Sequence, residues 1–66
     1  MDSEQIRARL IAVRSSTAKV ARDLEISKTA VSRYIHGLDT SARIAGRINE
    51  LTGLDLPPRL SKASIN

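Results

Sequence analysis

The chain has 66 residues, no cysteine, one aromatic side chain (Tyr34) and one histidine (His36), with eleven Lys plus Arg against seven Asp plus Glu for a net charge of +4. This length allows one domain burying only about 60% of its unfolded surface, with a core of Ile, Leu, Val and Ala, and it excludes disulfide frameworks, thiolate metal sites and histidine clusters. No apolar run reaches about 18 residues, and acids stand near the N-terminus where a signal peptide carries bases, so a reduced, soluble, cytoplasmic module is expected.

Four helices are expected from apolar spacing and punctuation. The first covers about 3–14, with Ile6, Leu10 and Val13 on one face. Asp2 and Glu4 near its start suit the positive end of the helix dipole. Ser15, Ser16 and Thr17 then break the pattern and offer a new N-cap.

The second helix is short, about 17–24, with Val20, Ala21 and Leu24 inward. Glu25, Ile26 and Ser27 form a tight connection, and Ser27 caps a third helix over 28–36. Its apolar positions are Ala30, Val31, Tyr34 and Ile35, and Gly37 follows as a residue able to turn left-handed. A fourth helix starts near Thr40 or Ser41, presents Ile44, Ile48 and Leu51, and stops at Gly53; Pro57 and Pro58 forbid further helix. Residues 1–56 therefore form the domain. Residues 57–66 read as a loose tail or a dimerisation arm, and Leu54, Leu56 and Leu60 serve either tail packing or a dimer seam.

The charge is unevenly spread. Residues 1–26 carry five bases against four acids, whereas 27–47 carry Lys28, Arg33, Arg43 and Arg47 against Asp39 alone, and 48–66 balance. An anionic partner would meet the middle third. Within it, Lys28, Thr29, Ser32 and Arg33 recur at a spacing that places them on one face of the third helix. A short helix with an exposed, basic, hydrogen-bonding face suits the major groove of DNA.

The stretch TAKVARDLEISKTAVSRYI, residues 17–35, resembles the helix-turn-helix of the phage repressor and Cro group, the lambda-repressor-like domains. The resemblance rests on Ala21 in the first helix, Ile26 in the turn and Val31-Ser32-Arg33 in the second helix. Gly37 and the following helix with Ile44 and Ile48 extend it over about three quarters of the chain. It implies an all-α fold, a compact bundle of four or five short helices. It also implies a DNA-binding transcriptional regulator of phage or bacterial type that acts as a homodimer on a palindromic operator, in the cytoplasm at the nucleoid of a bacterial host.

The resemblance implies base contacts from Lys28, Thr29, Ser32 and Arg33, with Arg33 suited to guanine. It implies phosphate contacts from Ser16, Thr17, Ser27, Ser41, Arg43 and Arg47. Two departures stand out: Glu25 occupies a turn position usually held by glycine, and no fifth helix is evident for dimerisation. Plainer roles compete at each site. The three serines serve as N-caps in any case, Arg47 can pair with Glu50, Arg7, Arg9 and Arg14 solubilise, and Tyr34 belongs to the core.

No nucleophile set, metal cluster, glycine-rich phosphate loop or paired carboxylates can be drawn from these residues, so neither an enzyme, a cofactor nor a small-molecule ligand is expected. Two other readings remain: a DNA-targeting accessory protein of recombination or transposition, and a small antitoxin-like subunit that binds protein through residues 54–65.

Overall fold

The computed structural model describes residues 2–60. Within them lie four helices and no strand: α1 Ser3–Ala12, α2 Thr17–Leu24, α3 Lys28–Ile35 and α4 Ala42–Thr52. Each helix begins on a short polar side chain that accepts from the first turn, as its unsatisfied N–H groups require. Ser16, Ser27 and Ser41 accept from Lys19, Ala30 and Ile44 at 3.1 Å each. Asp2 does more than favour the dipole: it forms a reciprocal capping box, accepting from the Gln5 N–H at 2.9 Å while the Gln5 side chain accepts from Asp2 at 3.1 Å.

The helix ends share a second device. After α1, α2 and α3, the chain reverses through a left-handed residue, and the next N–H folds back onto the last turn, the pairing of a Schellman motif. The returning bonds are Ser15 to Leu10, Ile26 to Ala21 and Leu38 to Arg33, at 2.8, 2.9 and 2.9 Å. The left-handed residues are Arg14, Glu25 and Gly37 (φ 60°, 58° and 77°), and Gly53 at φ 78° ends α4. Glu25 thus takes the very conformation that favours glycine, and the turn keeps its shape at the cost of backbone strain. Arg14 does the same one loop earlier, and this stops α1 at Ala12, two residues before the expected end.

Ten residues from all four helices make the core: Ile6 and Leu10; Val20 and Ala21; Val31, Tyr34 and Ile35; Ile44, Ala45 and Ile48. Val13, expected in this seam, is exposed because the helix has ended before it. Ala45 joins the core. α2 packs against α3 and α4, and α4 also contacts α1.

Residues 54–60 return along the bundle. The Tyr34 hydroxyl, at the end of a fully buried ring, donates to the Pro57 carbonyl at 2.6 Å. Asn49 grips both polar groups of Leu56, accepting from its N–H at 2.8 Å and donating to its carbonyl at 3.0 Å. The Ser41 N–H donates to the Pro58 carbonyl at 2.8 Å, and Thr40 and Arg59 form a single antiparallel bridge. Leu56 and Leu60 pack against the core. Residues 57–60, expected as part of a loose or dimerising tail, are thus held against the bundle: Gly53 has already ended α4, and the two prolines leave their carbonyls free to accept. Residues 61–66, and their dimerisation role, lie outside the described residues.

Candidate nucleic-acid interface

The 3.6-residue period divides α3 into two faces. Val31, Tyr34 and Ile35 are buried, while Lys28, Thr29 and Arg33 are exposed and Ser32 is half-buried. The four expected base-contact residues thus share one side of one helix, turned away from the core. Ser27 at the head of α3 is exposed, its hydroxyl engaged as the N-cap.

Beside this face lies an open groove of about 290 Å³, lined by Arg7, Ile11, Ser16, Thr17 and Lys28. It brings the heads of α2 and α3 against the outer side of α1. Two cations therefore stand by the N-terminal end of α2, where helical N–H groups point outward and the dipole is positive. Arg7, expected only to solubilise, is a participant here. No pattern within α1 marks it; three-helix packing alone brings it near Thr17 and Lys28.

The two arginines of α4 have partners inside the chain. Arg43 donates through Nη2 to the Leu24 carbonyl at 2.9 Å, satisfying the end of α2. Arg47 donates from Nη2 and Nε to one Asp23 oxygen at 2.8 and 3.3 Å, and reaches Glu50 at 3.7 Å. Its guanidinium is stabilised in the charged form chiefly by the Asp23 hydrogen bond. These two arginines bind α4 to the C-terminal end of α2, the opposite end from Ser16 and Thr17. Both were expected at phosphate; the structure places them as ties between helices. The expected Arg47–Glu50 pairing is present, but Asp23 is the closer partner. Ser41, also expected at phosphate, uses its hydroxyl as a cap and its N–H on Pro58.

Arg33 is engaged as well. Its Nε donates to Asp39 Oδ2 at 2.7 Å and its Nη2 to Oδ1 at 3.3 Å. The hydrogen bond from Arg33 holds the Asp39 carboxyl below the usual carboxylate range against some desolvation, helped by the charges of Arg33 and Arg59. Both side chains stay about half exposed. The Lys28 side chain makes no hydrogen bond or ion pair among the described residues.

No helix among the described residues is long and apolar enough to cross a membrane. Comparison with models of protein families, with curated proteins and with solved structures returned no match.

Proposed function

We propose that this chain binds duplex DNA sequence-specifically, with α2, residues 25–27 and α3 acting as a helix-turn-helix and α3 lying in the major groove. The observation that carries the reading is the exposed face of α3, on which Lys28, Thr29, Ser32 and Arg33 stand together beside the groove lined by Arg7, Ser16 and Thr17. Major-groove edges present acceptors, donors and the thymine methyl group, and these side chains answer each class: Arg33 for guanine, the Thr29 methyl for thymine, and Ser32 for either kind of edge. Phosphate contacts fix register. Ser16, Thr17 and Ser27 supply helix-end N–H groups for them, with Arg7 and Lys28 as cations. Ser41, Arg43 and Arg47 are engaged mainly within the bundle and contribute less.

The biological role proposed is a small Cro- or repressor-type transcriptional regulator acting as a homodimer. Half-sites on its palindromic operator would lie about one helical turn apart. The test is a fluorescence-anisotropy titration of a labelled duplex at several salt concentrations. Binding should weaken linearly on a logarithmic salt scale, as counterion release requires. Lys28→Ala/Arg33→Ala should weaken it by about tenfold or more at low salt. Absence of duplex binding by the wild-type chain at low salt would refute the proposal.

A further inference from the structure

The Arg33–Asp39 pair bears on how such a site would read sequence, and this inference rests on the DNA-binding proposal above. A guanidinium has five N–H donors in one plane and two usable edges. Asp39 occupies the side edge, taking Nε and one proton of Nη2 at 2.7 and 3.3 Å. The end edge, made of one N–H from each terminal nitrogen, has no partner among the described residues. That edge is a fork matching the O6 and N7 acceptors of guanine. Carboxylate and base can therefore be bound by the same plane at the same time.

Asp39 is itself held on both sides. Gly37 and Leu38 fold back onto Tyr34 and Arg33 by bonds of 2.9 Å each, and the Ser41 N–H is fixed on Pro58 at 2.8 Å. Thr40 pairs with Arg59, whose Nη1 also donates to the Thr40 hydroxyl at 3.0 Å. The carboxylate thus projects from a loop tied to both α3 and the returning C-terminal segment. A long arginine side chain samples many rotamers when free, and this contact selects one of them.

We propose that Asp39 is a positioning residue that orients Arg33 for guanine and, by its negative charge, discourages Arg33 from sequence-independent contact with phosphate. Labour divides accordingly: Lys28 and Arg7, with no acid on them among the described residues, attract the backbone, and Arg33 discriminates the base. Removing the acid should loosen selectivity while strengthening general attraction to DNA, a combination that simple loss of a structural tie does not produce.

The experiment selects preferred sites from a randomised duplex library with the wild-type chain, Asp39→Asn, Arg33→Ala and the double variant, then titrates the enriched duplex and a scrambled one at several salt concentrations. Thermal melts confirm that each variant is folded. The wild type should enrich a guanine that Arg33→Ala no longer selects. Asp39→Asn should lower the preference for that guanine by about fivefold or more, bind the scrambled duplex more tightly, and show a salt slope steeper by about one. In the Arg33→Ala background, Asp39→Asn should leave base preference unchanged, as a shared pathway requires. Unchanged guanine preference in Asp39→Asn, or no guanine dependent on Arg33, overturns the role of Asp39 while leaving DNA binding intact. Failure of the wild type to bind any duplex overturns both.

Discussion

Replacing Glu25 by glycine should stabilise the protein, although it removes a side chain. Glu25 sits at φ 58° in the connection between α2 and α3. For an L-residue the left-handed region costs about 1–2 kcal/mol. Glycine avoids that cost but gives back about 0.5–1 kcal/mol through the greater freedom of its unfolded chain. The exposed Glu25 side chain makes no hydrogen bond or ion pair among the described residues, so no polar contact is lost. A net gain of about 0.5–1 kcal/mol remains, which in a domain of this size raises Tm by about 2–8 °C. Thermal unfolding followed by circular dichroism would measure it. Glu25→Gln is the necessary control, because an acid at the C-terminal end of α2 also opposes the helix dipole; the difference between Gly and Gln isolates the backbone. Glu25→Asn should fall between them, since asparagine tolerates the left-handed region better than most residues. A glycine variant no more stable than the glutamine variant would refute the strain argument.

Three further substitutions probe the returning segment and the loop before α4. Tyr34→Phe keeps the buried ring but loses the hydrogen bond to Pro57, and Asn49→Ala releases both polar groups of Leu56. Denaturant unfolding should show losses of about 1 kcal/mol and about 2 kcal/mol respectively, and hydrogen exchange at the Leu56 N–H should quicken in the second. Full protection of that N–H in Asn49→Ala would contradict the clamp. In an NMR titration, the Asp39 carboxyl should have a midpoint below the ordinary range of about 3.9, chiefly through the hydrogen bond from Arg33. Its contribution to stability is then complete above that ordinary value and declines as pH falls through the lowered one. Arg33→Ala should move the midpoint back up; an unchanged midpoint would count against the pairing.

The helices were legible because local chemistry announces them. Ser16 and Ser27 stand one residue before regular apolar spacing, and Gly37 and Gly53 stand just past it, so the start of α2 and the ends of α3 and α4 follow from caps alone. The end of α1 was not legible, since Arg14 adopts a left-handed conformation that nothing in its chemistry favours. Val13 lies outside the core for the same reason: its spacing continues the stripe, but the helix does not. On α3, the division between Val31, Tyr34 and Ile35 inside and Lys28, Thr29 and Arg33 outside followed directly from period. What the pattern within one helix cannot reveal is partnership across the fold. The bonds from Arg43 to Leu24 and from Arg47 to Asp23 join residues 19 and 24 positions apart, and Tyr34 finds Pro57 at a separation of 23. Arg7 enters the groove by the same route.

On the function proposed, the exposed face of α3 and the head of α2 meet DNA. The most direct measurement is residue-level NMR mapping of the labelled chain as an unlabelled duplex is added. Backbone signals of residues 16–19 and 27–33 should move first and furthest, together with the Arg33 side-chain Nε–H, while those of 43–50 should move little. Perturbations centred instead on residues 54–60, or none at any duplex concentration, would contradict it.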